Sequence, residues 1–241
     1  RRHRVSASAP PSRVASMSVG DLSTSTQNYL KGIWALSEWS DTPVTPSSVA
    51  KHLGLRKSTV SDGVRKLGEQ GLVEHKPYGA VELTDTGRTY AVAMIRRHRL
   101  IETFLVEALG YTWDQVHDEA ENLEHSVSDF MVDRIDAFLD YPSRDPHGDP
   151  IPSASGRVDA PEAVPLTGVQ PGQKATIERI ADDDPKLLQF FDSHGLVVGA
   201  TLEVGEGAPY SGAVAVRLAG AAEAVPLGEE ATDSVFVRVD A

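Results

Sequence analysis

Apolar residues recur every three to four positions over the first part of the chain, a period that predicts helices. One helix is predicted over 25–40 and another over 57–70. Between them, Thr45 followed by Pro46 predicts a helix start, because threonine caps helices and proline is favoured in their first turn. Gly54 then separates this short helix from the next one. Helix, short turn, helix is the helix-turn-helix pattern.

Two short strands are predicted next, over 71–75 and 79–84. A hairpin directly after the second helix of a helix-turn-helix is a wing, so residues 21–87 are predicted to form a winged helix-turn-helix domain. A long helix ended by Gly110 and a further apolar stripe running toward Asp140 then predict a helical domain over 88–152.

The rest of the chain predicts a small β domain. Residues 153–171 are rich in Pro, Gly and Ser and are predicted to be a linker. Short strand-like runs separated by turn residues predict a small β-barrel over 172–241. Residues 1–20 lack periodicity and are predicted to be a disordered arm. The expected fold is mainly α with small β parts.

Composition narrows the cellular setting and the chemistry. No run approaches the roughly 20 apolar residues of a membrane span, and no signal peptide is visible, so we expect a cytoplasmic protein with no membrane partner. The chain has no cysteine, which excludes disulfides and thiolate metal sites. Its net charge is −12, which by itself argues against nucleic acid.

The distribution of charge reverses that expectation. From Lys51 to Lys76 there are six Lys and Arg against three Asp and Glu, a basic island in an acidic chain. In a winged helix the second helix of the motif enters the major groove. A winged helix used for protein contacts is the alternative. The residues predicted to contact DNA are Arg56, Lys57, Ser58, Thr59, Ser61, Asp62, Arg65 and, on the wing, Lys76.

Imidazoles and carboxylates recur at helical spacing in the second domain. His98 and Glu102 are four residues apart and share a helix face. If the next helix is continuous, four more such residues fall within an arc of roughly 100° on it. Stacked beside an apolar stripe, these side chains are costly to bury unless a cation neutralises them. The predicted metal ligands are His98, Glu102, His117, Glu121, Glu124 and His125.

The donor types indicate which metal is bound. Imidazole with a majority of carboxylates suits Mn²⁺ or Fe²⁺, and Mn²⁺ in particular needs hard oxygen donors. A di-iron oxidase uses similar residues but carries Glu-x-x-His pairs on two helices, whereas this chain has His-x-x-x-Glu. A metalloenzyme is therefore disfavoured but remains an alternative. His147 stands alone in a polar loop and is expected at the surface.

Four segments resemble the diphtheria toxin repressor family of metal-dependent transcriptional repressors: Glu82–Arg88, Arg96–Glu102, Val116–Asp129 and Asp145–Pro152. The resemblance implies an SH3-like C-terminal domain, a homodimer, and two metal positions in each subunit. One position would use Asn28, Glu121, Glu124 and His125. The other would use His98, Glu102, His117 and a group of the SH3-like domain, which aligns near Asp183 or its neighbours Asp182 and Asp184.

Two departures from the family pattern concern metal choice. Glu121 stands where the iron-responsive branch of the family has cysteine, and Asn28 stands where the manganese-responsive branch often has an acidic residue. The resemblance therefore implies a manganese-activated, dimeric repressor that binds double-stranded operator DNA, with no enzymatic activity and no small organic substrate. An iron-responsive repressor is the alternative within the family.

Overall fold

The computed structural model describes residues 18–76, 79–208, 210 and 212–240. The predicted winged helix is confirmed. Its elements are α1 (Thr24–Glu38), α2 (Pro46–His52), α3 (Lys57–Glu69), β1 (Val73–His75) and β2 (Val81–Leu83). The two strands pair antiparallel as the wing.

Local sequence signals explain where these helices begin. Ser23 caps α1 by accepting a hydrogen bond from the Thr26 amide. Thr45 and Ser48 form a capping box at the start of α2, so each side chain satisfies a backbone amide that the helix leaves unpaired. The three helices, the wing and the start of the next helix share one apolar core.

The second domain is built on α4 (Asp85–Leu109), which Gly110 ends in the left-handed conformation at φ 75°. Two shorter helices follow, α5 (Val116–Leu123) and α6 (Asp129–Phe138). The second ligand-bearing helix was expected to extend through His125, but α5 ends at Leu123. Ser128 caps α6 by accepting from the Met131 amide, so the chain breaks between the two helices and restarts.

The C-terminal domain is a six-stranded sheet in the order β3-β8-β4-β5-β6-β7, with every pair antiparallel. Among the described residues the sheet is open, with β3 and β7 at its edges. Its elements are β3 (Val164–Pro165), β4 (Lys174–Ile180), α7 (Pro185–Ser193), β5 (Thr201–Glu206), β6 (Val214–Leu218), β7 (Val225–Leu227), α8 (Glu229–Asp233) and β8 (Val235–Val239).

The predicted linker and the predicted N-terminal arm both contain residues that pack into the fold. The predicted linker supplies β3, and its Leu166 and Val169 are buried in the core of the β domain. Residues 1–17 of the predicted arm lie outside the described residues. After them, Val19 is buried against the winged-helix core. In the described part of the chain, no helix is long and apolar enough to cross a membrane.

Candidate metal centre and DNA-binding surface

The long helix α4 places His98 and Glu102 one turn apart with both side chains buried. The Nε2 atom of His98 lies 2.9 Å from Oε1 of Glu102. Arg99, between them in sequence, pairs with Glu38 at the end of α1 and with Asp149 in the loop before the β domain. This buried guanidinium therefore holds α1, α4 and the loop together around the cluster.

Helix α5 places His117 beside His98 and Glu102. The Nδ1 atom of His117 lies 2.7 Å from Oδ2 of Asp182 and 3.5 Å from Oε1 of Glu102. Asp182 lies two residues after the end of β4, so the β domain contributes to a site built mainly from helices. His98, Glu102, His117 and Asp182 each offer a ligand atom, and all four atoms lie within 4.8 Å of one another.

A second group of possible ligands shares His98 with the first. The Nδ1 atom of His98 lies 2.6 Å from Oε2 of Glu124, and Glu121 completes the group. The ammonium group of Lys31 contacts all three side chains. The two nitrogens of one imidazole thus face two neighbouring groups of donors.

A third group lies in the loop before the β domain. Glu102, Asp145 and His147 bring ligand atoms within 4.8 Å of one another. His147 is fully buried, so its expected surface position is wrong. Its Nε2 donates to the carbonyl of Trp113, and its Nδ1 lies 3.9 Å from Asp182.

Packing against the β domain explains why this polar loop is buried. The carbonyl of His147 accepts a hydrogen bond from the Ile180 amide of β4, and the His147 ring stacks on Trp113. Gly148, with φ 91°, approaches β4 so closely that a Cβ there would lie 2.1 Å from the Glu178 carbonyl oxygen. A side chain at this position would therefore push the loop away from the site.

Several buried donor atoms in this region have no hydrogen-bond partner. An unpaired buried polar atom costs about 1–3 kcal/mol, so such atoms are rare unless something else binds them. Divalent cations bind carboxylate and amide oxygens and unprotonated imidazole, so these atoms fit a metal centre. They are Asn28 Oδ1, Oε2 of Glu102, Glu124 Oε1 and His147 Nδ1.

Protons and Lys31 balance the charge of the cluster. Burial would lower the pKa of His98, but Glu102 and the surrounding hydrogen bonds raise it to about 9. Burial likewise opposes a charged His117, yet Asp182 and Glu102 raise its pKa to about 11. Burial would raise the pKa of Glu102, but the neighbouring imidazoles hold it well below its usual range. The protein therefore keeps these carboxylates ionised by pairing them with cationic groups.

Of the predicted ligands, His98, Glu102, His117, Glu121 and Glu124 belong to these groups. The other three differ in their surroundings. Asn28 lies on α1 and lines the cavity that also contains His98 and Glu121. His125 follows the end of α5, and its Nδ1 lies 2.7 Å from Oε1 of Gln27. Asp183 is exposed, and its neighbour Asp182 enters the cluster instead.

Sequence reasoning did not assign roles to Lys31, Asp145 or His147. The periodicity of α1 does contain a signal, because Lys31 follows Asn28 by three residues and so shares its helix face. The repeated Asp-Pro pattern around His147 indicates a turn but does not indicate burial.

The predicted DNA-contacting residues all lie exposed on one helix and the wing. Seven of them are Arg56, which precedes α3, and six residues within it; the eighth is Lys76 beside the wing. Two of the cations already have partners. Arg65 pairs with Glu69 at 2.6 Å, and Lys76 lies 3.1 Å from Glu74. Both pairs are solvent-exposed and therefore weak, so a phosphate could replace either carboxylate.

Large apolar side chains are exposed around the ends of α4 and α6. Phe130 is 75% exposed and Phe138 is 68% exposed, with Leu109, Met131 and Tyr141 also exposed. Apolar surface of this kind marks an interaction site in a soluble protein. It agrees with the apolar stripe that the sequence places before Asp140.

Three family models match successive parts of the chain. The N-terminal DNA-binding domain of iron-dependent repressors matches 21–81, and their metal-binding and dimerisation domain matches 84–153. A FeoA domain matches 164–239. The iron-dependent repressor IdeR of Mycobacterium leprae is 32% identical over 199 residues, covering 77% of this chain and 86% of that protein. The chain therefore belongs to the diphtheria toxin repressor family of metal-dependent transcriptional repressors.

Solved structures of similar proteins extend this assignment. A manganese-dependent transcriptional repressor in complex with manganese is 49% identical, with a TM-score of 0.84, over 88% of this chain and 98% of its own. The manganese regulator SloR is 32% identical, with a TM-score of 0.76, over 91% of this chain and 100% of its own. These relatives are regulators of transcription and not enzymes, as the sequence predicted.

Proposed function

We propose that this chain is a manganese-activated repressor that binds double-stranded operator DNA as a homodimer in the cytoplasm. The observation that carries the proposal is the set of buried imidazole, carboxylate and amide atoms that lack hydrogen-bond partners. Burying such atoms without partners costs free energy in a metal-free protein, and a divalent cation would bind them as ligands.

We assign two metal positions from the proximity of the donors. Glu121 and Glu124, with Asn28 and His125 nearby, would form one position. Glu102, His117 and Asp182 would form the other, and Asp145 and His147 extend it toward the loop. His98 lies between the two and presents one nitrogen to each.

Manganese is favoured over iron by the chemistry of the donors. All of them are carboxylate, amide or imidazole groups, and hard oxygen donors are needed to hold Mn²⁺ against metals with higher intrinsic affinity. The relatives of known structure described above are named for manganese. Iron remains the second candidate because the matching family models and the mycobacterial relative are named for iron.

The position of α1 explains how a metal site could control DNA binding. Asn28 and Lys31 lie on α1, which packs against α4 and against the helices of the winged helix. A bound cation would supply the positive charge that holds the Asn28 oxygen together with the carboxylates at the end of α5. The residue after Asn28, Tyr29, donates from its hydroxyl to the carbonyl of Thr59 in α3. Fixing α1 against α5 would therefore fix the orientation of α3.

In a dimer formed through the exposed apolar face, the orientation of α3 in each subunit would set the distance between the two recognition helices and so the affinity for DNA. Two recognition helices bind together only if their separation matches half-sites about one helical turn, or a multiple of it, apart. A conformer with the correct separation therefore binds much more tightly, without any metal contact to DNA.

The test is metal-dependent selection of DNA. Genomic fragments are incubated with the purified dimer and either Mn²⁺, Fe²⁺ under anaerobic conditions, or a chelator, and the retained fragments are sequenced. We expect a small set of fragments to be retained with Mn²⁺ and lost with chelator. Equal retention without metal would contradict the proposal, and retention with Fe²⁺ alone would favour the iron-responsive alternative.

A further inference from the structure

The ammonium group of Lys31 lies among atoms that the proposed metal site needs. Its Nζ atom is 2.5 Å from Oε1 of Glu121, 2.8 Å from Oε2 of Glu124 and 2.9 Å from Nδ1 of His98. These three residues are the members of one group of possible metal ligands. The Lys31 side chain is only 12% exposed, so solvent screens the contacts weakly.

A lysine ammonium has three N–H donors and no acceptor. Here two of these donors face the carboxylate oxygens of Glu121 and Glu124, and the ammonium also lies beside Nδ1 of His98, so it neutralises the two carboxylates in the way that a small cation would. A divalent ion at the same atoms would lie within a few ångströms of the ammonium charge. At that distance two cations repel by several kcal/mol even at an effective dielectric constant of about 20. The two cations are therefore alternatives.

We propose that Lys31 is a tethered cation that competes with the divalent metal for Glu121, Glu124 and His98. Lys31 thereby sets the metal concentration at which the protein responds. This inference rests on the proposed metal-dependent function and adds a residue that tunes it. Lys31 and Asn28 lie on the same helix, α1. Release of Lys31 would therefore replace its ion pairs with Glu121 and Glu124 by a metal-mediated contact between Asn28 and the same carboxylates.

Competition should be confined to one of the two metal positions. In the neighbouring group, Glu102 and Asp182 are paired with His98 and His117 and make no ion pair with Lys31 among the described contacts. Loss of the Lys31 charge should therefore strengthen binding at Glu121 and Glu124 and leave binding near Asp182 nearly unchanged.

The experiment is a calorimetric titration of the full-length dimer with Mn²⁺, comparing the natural protein with Lys31→Met and Lys31→Gln. Lys174→Met is the matched control, because it removes the same charge from an exposed position at the start of β4. We expect both Lys31 variants to bind one Mn²⁺ at least about tenfold more strongly and the other with nearly unchanged affinity, since only at Glu121 and Glu124 must the natural protein first break charge-assisted hydrogen bonds. The control should bind as the natural protein does.

Thermal unfolding gives a second measurement on the same variants. Without metal, both Lys31 variants should melt at a lower temperature than the natural protein, because the carboxylates lose their partner. With saturating Mn²⁺, that difference should disappear. An unchanged or weaker Mn²⁺ affinity in the two variants would overturn the inference, even where the natural protein binds Mn²⁺ normally. A natural protein that binds no Mn²⁺ would instead overturn the proposed function.

A measurement on the natural protein covers the case in which neither variant folds. Acetylation of lysines followed by mass spectrometry compares the reactivity of Lys31 with that of Lys174, with and without Mn²⁺. We expect Mn²⁺ to increase the reactivity of Lys31 relative to Lys174, because the ammonium leaves its acceptors. A relative reactivity that stays constant or falls would contradict competition.

Discussion

Replacement of Gly63 by alanine tests whether the recognition helix depends on α1. Gly63 lies in α3, and a Cβ atom at this position would lie 2.5 Å from Cζ and 2.7 Å from the hydroxyl oxygen of Tyr29. Tyr29 is buried on α1, directly after the candidate ligand Asn28. The ring of Tyr29 therefore occupies the space that a side chain would need.

Two opposing effects set the expected magnitude. Alanine in place of glycine within a helix stabilises it by about 0.8–1.0 kcal/mol. Overpacking a filled site costs about 1–3 kcal/mol. A contact at 2.5 Å is too short to be tolerated without movement of the ring or the helix. We expect overpacking to dominate, with a net loss of up to roughly 2 kcal/mol in the free energy of unfolding.

Gly68→Ala is the matched control on the same helix, because a Cβ there would meet its nearest neighbour at 4.0 Å. The assay is urea unfolding together with DNA affinity at saturating Mn²⁺. Gly68→Ala should be neutral or stabilising, whereas Gly63→Ala should be less stable and bind DNA more weakly. If Gly63→Ala were as stable as Gly68→Ala and bound DNA normally, the coupling of α1 to α3 through Tyr29 would be refuted.

Three further predictions follow from the metal centre and the apolar face. Glu121→Cys should weaken activation by Mn²⁺ and strengthen activation by Fe²⁺ or Co²⁺, since a thiolate is a softer donor; anaerobic DNA-binding titrations give the ratio of midpoints, which should shift. The pKa values of His98 and His117 are raised, so both protonated rings stabilise the metal-free fold fully below about pH 6.5. The contribution of His98 is lost as the pH rises through about 9, and that of His117 as it rises through about 11. Metal binding needs both imidazoles unprotonated, so calorimetric Mn²⁺ affinity should rise with pH from about 6.5 to about 9 and should not stay level. Phe130→Ser should shift the dimer toward monomer in analytical ultracentrifugation, whereas Val197→Ser, an exposed apolar position in the β domain, should leave the dimer intact.

Sequence periodicity predicted most of the fold because the longer helices have apolar faces and several carry their own start or stop signal. The Thr45-Pro46 start of α2 and the Gly110 end of α4 depend on neighbouring residues alone. The break after α5 was missed because the apolar stripe continues through it and the capping by Ser128 competes with helix continuation. His125 was consequently expected on the same helix face as Glu121.

Contacts between distant segments explain what the sequence did not predict. His147 is buried because the β domain covers its loop, a contact that no local pattern encodes. Lys31 reaches residues about 90 positions away, and the local sequence contains no signal for such a contact. Asp182 enters the metal-ligand cluster, one residue before the aligned position Asp183, because the path of the chain after β4 decides which carboxylate faces the cluster.

The central claim is that buried, unpaired donors form a metal centre that controls DNA binding. Fluorescence anisotropy of a selected DNA fragment, titrated with Mn²⁺, tests it directly in the natural protein and in Glu102→Gln. Glu102 is fully buried, and its Oε2 lacks a hydrogen-bond partner, so glutamine keeps the shape and removes the charge. We predict Mn²⁺-dependent binding by the natural protein and a midpoint at least about tenfold higher in the variant, since an anionic ligand is lost. Binding without metal, or identical midpoints in the two proteins, would contradict the account.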